Sequence, residues 1–117
     1  CICEYNYICL NIIDISKTSL VHSSGSMEEK YISFMPKDIH KGIAVNEYSR
    51  LLGISKSKIF AIGDGMNDIE MLKESGVSVA MGNSVKEVFE VSKYVTKKYD
   101  ENGTEEVLDW ILKSLNY

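Results

Sequence analysis

The sequence contains little proline, histidine or cysteine, with one proline, two histidines and three cysteines in 117 residues. The cysteines, Cys1, Cys3 and Cys9, all lie in the first ten residues, and an odd number at one end does not indicate a disulfide framework. His22 and His40 do not have the spacing of zinc ligands. We therefore expect reduced thiols, which are typical of a cytoplasmic protein, and no zinc site.

The chain also lacks an excess of basic residues and a long apolar run. Its net charge is −4, which argues against a nucleic-acid partner because phosphate backbones are bound by clustered lysine and arginine. No apolar run approaches the ~18 residues of a membrane helix, and the N-terminus lacks the basic residues of a signal peptide. These absences predict a cytoplasmic protein that binds neither nucleic acid nor membrane. Because the chain begins at Cys1 and its first methionine is Met27, we expect it to be a fragment of a longer protein.

The lone proline, Pro36, separates two patterns of predicted secondary structure. Segments rich in β-branched and aromatic residues precede it and predict three antiparallel strands, at 7–13, 19–23 and 30–35. From residue 41 onward, short apolar strands alternate with amphipathic helices. This alternation predicts an α/β fold, a Rossmann-like parallel sheet with flanking helices. The predicted strands are 58–62, 77–81 and 94–95, and the predicted helices are 41–52, 67–75 and two that begin near Ser84 and Thr104.

Local patterns predict how these helices begin, end and pack. Apolar residues recur at helical spacing in helix 41–52, and Gly53 follows as a C-terminal stop. Ser84 and Glu87 have the spacing of a capping box at the start of the third helix. The apolar residues expected to face the core are Ala44, Tyr48, Leu51 and Leu52 in the first helix, Val85, Val88 and Phe89 in the third, and Val107, Leu108, Ile111, Leu112 and Leu115 in the last.

The segment GDGMND, residues 63–68, is a candidate functional site because it lies where a predicted strand ends and a helix begins. In parallel sheets, ligands bind beyond the carboxyl ends of the strands. The segment could be a dinucleotide-binding turn, although the third glycine of G-x-G-x-x-G is absent. It could be a structural turn in which Asn67 and Asp68 cap the helix. It could also be a magnesium and phosphate site, which accounts for the carboxylates of Asp64 and Asp68 beside two glycines and an amide.

Lys41 is a second candidate, because it begins the predicted helix 41–52 at the end where the helix dipole disfavours a cation. The lysine is either simply solvated or accompanied by an anion. A right-handed crossover from this helix to the next strand would bring Lys41 to the sheet edge that holds Asp64. Lys41, Asp64, Asn67 and Asp68 together then suggest a phosphate held by lysine, asparagine and Mg²⁺.

The pair Lys41-Gly42 opens a predicted helix, and the segments LGI, IFAIGDGMNDIEML, GVSVAMGNS and KYVTKKYDENGTEEVL follow it. Together they resemble the C-terminal portion of haloacid dehalogenase (HAD) superfamily phosphatases. The most similar subgroup is the Cof type, in which an α/β cap of class IIB is inserted in the chain. The resemblance extends from about Phe34 to Ile111. It implies that residues 1–35 are the C-terminal remnant of the cap domain and that residues 36–117 are the C-terminal half of the core.

The resemblance implies a Mg²⁺-dependent phosphomonoesterase acting on a small phosphorylated metabolite such as a sugar phosphate. It assigns Lys41, Asp64 and Asp68 to catalysis. Lys41 would bind the phosphate and steady the nucleophile, and Asn67 would contact the substrate phosphate. Asp64 and Asp68 would be the metal residues, with Asp64 as the ligand and Asp68 supporting the water shell of the metal or Lys41.

The nucleophile of that family, the first aspartate of a D-x-D-G-T segment, has no counterpart in this sequence. Asp14 is followed by Thr18, but the second aspartate and the glycine are missing. Since no aspartyl-phosphate can form without the nucleophile, we expect the chain alone to be inactive. The alternative is a non-catalytic α/β module that binds phosphate or a partner, and its exposed sheet edge would favour a homodimer.

Overall fold

The computed structural model describes residues 18–24 and 30–115, with side chains from residue 36 onward. The predicted strand 7–13, the three cysteines and Asp14 lie outside the described residues.

An antiparallel hairpin forms the first part of the described chain. It consists of strands β1 (Thr18–Ser24) and β2 (Lys30–Pro36), with Thr18 opposite Pro36 and Ser24 opposite Lys30. The prediction of two strands in this region is confirmed. Strand β1 lies next to the turn at residues 66–68, so the hairpin is adjacent to the segment identified above as a candidate site.

Three short parallel strands form a separate sheet. They are β3 (Phe60–Gly63), β4 (Val77–Ala80) and β5 (Tyr94–Val95), in the order β3-β4-β5. Phe60 lies opposite Val77, and Val79 lies opposite Tyr94. Because the strands are parallel, their carboxyl ends meet at one edge of the sheet, and the predicted α/β fold is confirmed.

Four α-helices are described: α1 (Lys41–Leu52), α2 (Ile69–Glu74), α3 (Lys86–Val91) and α4 (Gly103–Ser114). Short 3₁₀ turns occur at Lys56–Lys58, Met66–Asp68 and Tyr99–Glu101. Helix α1 has the predicted bounds, and Gly53 ends it in the left-handed conformation with φ of 63°. No helix in the described part of the chain is long and apolar enough to cross a membrane.

The apolar core lies between the sheet and helices α2 and α3. Ala61 of β3, Leu72 of α2, Ala80 of β4 and Val88 of α3 form one buried cluster. Around it pack Ile69, Met71, Val85 and Val91. Leu72 is 1% exposed, and truncating such a residue to alanine costs about 2–5 kcal/mol. This core fixes β3 and β4 side by side and therefore positions the loops that follow them.

The predicted apolar face of α1 is not the face that the helix buries. The buried residues of α1 are Gly42 and Val45, whereas Tyr48, Leu51 and Leu52 are 60%, 70% and 53% exposed. Ala44 is exposed as well. The reason is a close approach of α1 to α2, since a Cβ on Gly42 would lie 2.8 Å from the carbonyl oxygen of Glu70. The glycine, not the large apolar residues, determines which side of α1 meets its neighbour.

The capping box predicted from Ser84 and Glu87 is wrong. Helix α3 begins after Val85 and has no side-chain cap, because the Ser84 hydroxyl instead donates to the carbonyl of Gly63 at 3.2 Å. The predicted core faces of α3 and α4 are only partly right. Val88 and Val107 are fully buried, Val85 and Ile111 are half-buried, and Phe89, Leu108, Leu112 and Leu115 are exposed.

Candidate functional site

Two parts of the chain meet at the carboxyl edge of the parallel sheet. The loop after β3 supplies Asp64, Asn67 and Asp68, and the first residue of α1 supplies Lys41. The Lys41 Nζ lies 2.5 Å from Oδ1 of Asp68, 27 residues away in sequence. Lys41 is therefore accompanied by an anion, as one of the two predictions for this lysine had it. The anion is the carboxylate of Asp68.

Asp68 is the most buried of these side chains and accepts hydrogen bonds at both carboxylate oxygens. Oδ1 accepts from Lys41, and Oδ2 accepts from the backbone N–H groups of Asp64 and Gly65 at 3.0 and 3.2 Å. The residue is only 5% exposed, so an unpaired charge here would be costly. The predicted capping of the following helix is not seen, because Asp68 is the N-cap residue of α2 but makes no side-chain cap hydrogen bond there. Its carboxylate accepts instead from Gly65, the residue that precedes the 3₁₀ turn.

The protonation state of Asp68 follows from these contacts. Burial acts to raise the pKa of Asp68, but the hydrogen bond from Lys41, the two backbone donors and the positive charge of Lys41 outweigh burial. The pKa of Asp68 therefore lies below its usual value, and the carboxylate is ionised at neutral pH. Lys41 and Asp68 form a charged pair whose lysine side chain is 51% exposed and accessible to a ligand.

Glycine at position 63 permits the close approach of Asp68 to the end of β3. A Cβ on Gly63 would lie 2.5 Å from the Cβ of Asp68, closer than two side chains can pack. At Gly65 the added Cβ would lie 2.8 Å from Oδ1 of Asn67, which is the end of a side chain that can rotate. The first glycine is thus required by packing within the turn, and the second less strictly so.

Asp64 has an exposed carboxylate at the mouth of the loop. Its Oδ2 accepts a hydrogen bond from Nδ2 of Asn83 at 3.1 Å, and its backbone carbonyl accepts from the N–H of Val85 at 3.0 Å. Among the described residues, Oδ1 of Asp64 has no hydrogen-bond donor. Asn67 lies half-buried between Asp64 and Asp68 in the 3₁₀ turn. The carboxylate of Asp64 and the ammonium group of Lys41 therefore lie at one sheet edge, and Asn67 lies on the turn there.

Two residues of this arrangement, Asn83 and Ser84, are absent from the predicted site. Asn83 donates to Asp64 and accepts from the backbone N–H of Tyr99 at 3.1 Å, while Ser84 binds the carbonyl of Gly63. Their place in the sequence could have indicated that they belong to the site, because both follow β4 at the same sheet edge as the loop after β3. The sequence prediction used Asn83 only for the family resemblance and Ser84 also for a capping box, and it did not consider that both residues follow β4.

Comparison with known proteins assigns the chain to a family. The sequence model for haloacid dehalogenase-like hydrolases matches residues 7–108. The chain belongs to this hydrolase family.

The relatives of this haloacid dehalogenase-like hydrolase include curated phosphatases. The 5-amino-6-(5-phospho-D-ribitylamino)uracil phosphatase YwtE of Bacillus subtilis is 38% identical over 81 residues, which cover 69% of this chain and 28% of that protein. Phosphoglycolate phosphatase 1 of Saccharolobus solfataricus is 30% identical over 115 residues, covering 95% of this chain and 50% of that protein.

A solved structure gives the same assignment. The HAD subclass IIB sugar phosphatase BT4131 is 27% identical and superposes with a TM-score of 0.72, covering 83% of this chain and 36% of that one. The chain thus spans half or less of the length of each of these proteins. The resemblance to class IIB phosphatases is confirmed.

The oxygen donors of this candidate site fit Mg²⁺ better than a metal that needs three or more protein ligands. No group of three or more histidine, cysteine, aspartate or glutamate side chains that could hold a metal occurs in the described part of the chain. Mg²⁺ does not need one, since it is commonly bound by one or two carboxylates with water and substrate phosphate completing its shell. Asp64 is an exposed residue, and its Oδ1 could coordinate such an ion, whereas both oxygens of Asp68 already accept hydrogen bonds.

Proposed function

We propose that this chain is the C-terminal part of a phosphatase that hydrolyses a small phosphorylated metabolite such as a sugar phosphate, with Mg²⁺ as its cofactor. The observation that carries the proposal is the Lys41–Asp68 pair at 2.5 Å beside the exposed carboxylate of Asp64. The named activities of the relatives support a phosphate ester as the substrate class. A phosphate would be bound by the ammonium group of Lys41, the amide of Asn67 and a metal ion held by the carboxylate of Asp64.

Lys41 would bind the substrate phosphate. An ammonium group has three N–H donors, and Asp68 accepts only one hydrogen bond from it, so two donors remain for phosphate oxygens. The ion pair fixes the position of Nζ in advance, which reduces the conformational entropy lost when the phosphate binds. Asn67, on the adjacent turn, would donate its amide hydrogens to the same phosphate.

Asp64 would be the direct Mg²⁺ ligand. Asp68, predicted with it as a metal and catalytic residue, would act through the groups that it holds, namely Lys41 and the backbone of the turn. When bound, Mg²⁺ supplies positive charge that offsets the charge developing on the phosphoryl oxygens in the transition state. The protein residues contribute by holding this charge distribution in place before the reaction begins.

The nucleophile would come from another part of the protein, because a D-x-D-G-T segment is absent from these 117 residues. In this proposal residues 1–35 belong to the end of the cap and residues 36–117 to the core. The antiparallel hairpin β1–β2, distinct from the parallel sheet, supports that division. A cytoplasmic location stays a prediction from the sequence.

Mutation of Asp64 tests the proposal. In the full-length protein we expect Asp64→Asn to lower Mg²⁺-dependent hydrolysis of a sugar phosphate at least about 100-fold, as expected for loss of one transition-state contact. Asp109→Asn, an exposed position on α4, is the matched control and should retain full activity. Near-normal Mg²⁺-dependent turnover by Asp64→Asn would contradict the assignment.

The alternative function, a non-catalytic phosphate-binding or partner-binding module, rests on the missing D-x-D-G-T segment. Assaying the isolated chain and the full-length protein with and without Mg²⁺ separates the two functions. Activity confined to the full-length protein supports the phosphatase, and inactivity of both supports the module.

A further inference from the structure

Asn83 is held at both ends of its side-chain amide. Its Oδ1 accepts the backbone N–H of Tyr99 at 3.1 Å, and its Nδ2 donates to Oδ2 of Asp64 at 3.1 Å. Because a backbone N–H can only donate, the amide oxygen must face Tyr99 and the NH₂ group must face Asp64. The orientation of Asn83 is therefore determined by its two partners.

Asp64 is constrained by these contacts in both its backbone and its side chain. Its N–H donates to Asp68 and its carbonyl accepts from Val85, each at 3.0 Å. With the main chain fixed, the bond from Asn83 sets the rotation of the carboxylate. It engages Oδ2, so that within the described part of the chain Oδ1 is the one oxygen of this carboxylate without a protein donor.

The number of oxygens that a carboxylate offers distinguishes Mg²⁺ from Ca²⁺. Ca²⁺ takes six to eight oxygen ligands and commonly binds both oxygens of one carboxylate, whereas Mg²⁺ requires an octahedral shell with few carboxylates. We propose that Asn83 is a specificity-determining positioning residue that restricts Asp64 to one-oxygen coordination and so makes the site select Mg²⁺ over Ca²⁺. This inference rests on the proposed function, because it takes Asp64 as the metal ligand.

Metal binding without substrate tests the inference independently of turnover. Isothermal titration calorimetry of the full-length protein with MgCl₂ and with CaCl₂ gives the ratio of the two dissociation constants. For Asn83→Ala we expect Mg²⁺ affinity to fall about tenfold, as is usual for loss of a residue that orients a metal ligand. Ca²⁺ affinity should be unchanged or higher, so the selectivity ratio falls at least about tenfold.

A second variant breaks the other end of the same contact without removing Asn83. Tyr99→Pro deletes the N–H that orients the amide, and proline suits the first position of the 3₁₀ turn Tyr99–Glu101. Lys98 before it has φ of −66° and ψ of 163°, a conformation that a following proline allows. We expect Tyr99→Pro to reduce the selectivity ratio in the same direction, and it carries the test if Asn83→Ala does not fold.

The outcomes separate this inference from the proposed function. If Asp64→Asn abolishes Mg²⁺ binding but Asn83→Ala weakens both metals equally, Asn83 is merely structural and the inference is overturned. If Asp64→Asn binds Mg²⁺ as tightly as the wild type, the metal assignment itself fails. Loss of the Mg²⁺ preference in both Asn83→Ala and Tyr99→Pro supports the inference.

Discussion

Among single residues, Asp68 is the one whose side chain links helix α1 to the turn after β3. It joins the first residue of α1 to the turn after β3, because Lys41 donates to one carboxylate oxygen and the backbone of Asp64 and Gly65 donates to the other. An asparagine at this position would keep the size of the side chain but would lose the charge that pairs with Lys41. The amide group would also present N–H donors to a position where acceptors are required.

We predict that Asp68→Asn lowers the free energy of unfolding at neutral pH by about 1–3 kcal/mol, the usual effect of losing charged hydrogen bonds. The pKa of Asp68 is lowered on folding from an ordinary value of 3.8, so its stabilising contribution is complete above that pH and is lost as the pH falls through the folded pKa. Urea unfolding between pH 7 and pH 3 should therefore show the stability difference between wild type and variant shrinking only below about pH 4. The other carboxylates are the same in both proteins, so their contributions to the pH dependence cancel in the difference between the two free energies of unfolding. A difference that is constant down to pH 3 would contradict this account.

At the scale of elements, the turn between β3 and α2 depends on two glycines that are not equivalent. The Cβ added at Gly63 would meet the Cβ of Asp68 at 2.5 Å, and that atom is fixed to the backbone of the turn. The Cβ added at Gly65 would meet only Oδ1 of Asn67, which can move by rotation of its side chain. The two positions give a matched pair of variants within one loop.

Gly63→Ala should cost about 1–3 kcal/mol of stability, as overpacking in a close-packed region does, and should disturb the Lys41–Asp68 pair. Gly65→Ala should cost less than about 1 kcal/mol, since only a rotamer changes. Chemical denaturation of the two variants measures the order directly. If both variants lost the same stability, or if Gly65→Ala lost more, the predicted order would be contradicted. The turn would then relax around a Cβ at position 63.

The elements themselves were largely predictable, and the way they pack was less so. The change from extended to helical spacing of apolar residues located β3, β4 and α1, because those periodicities are local properties of the chain. The capping box at Ser84 failed because the hydroxyl bonds to Gly63, 21 residues earlier in sequence, and local spacing contains no information about such a partner. The buried side of α1 was missed for the same reason, since Gly42 acts through its contact with α2.

At the scale of the whole molecule, parallel topology explains why Lys41 meets a carboxylate that is 27 residues away in sequence. The crossover from α1 to β3 led us to expect Lys41 at the sheet edge that holds Asp64. In the structure the ammonium group of Lys41 forms an ion pair with Asp68. The same topology leaves apolar surface uncovered. Tyr48 and Leu51 on α1 and Phe60 at the edge of the sheet are 60%, 70% and 40% exposed. Among the described strands, none pairs with the side of β3 opposite β4.

An unpaired strand edge is a template for another chain, so we predict that the isolated chain forms a homodimer through β3. Phe60→Lys should convert the dimer to a monomer, because a charged side chain on an edge strand opposes pairing and Phe60 is exposed enough to be replaced without burying the charge. Tyr48→Lys is the matched control, since it removes a comparable exposed aromatic residue from α1 and leaves the strand unchanged. Sedimentation equilibrium at several concentrations gives the masses. A monomeric wild-type chain would rule out the dimer. Dissociation by Tyr48→Lys but not by Phe60→Lys would place the contact on the apolar face of α1 instead, and equal dissociation by both variants would contradict a contact confined to the edge of β3.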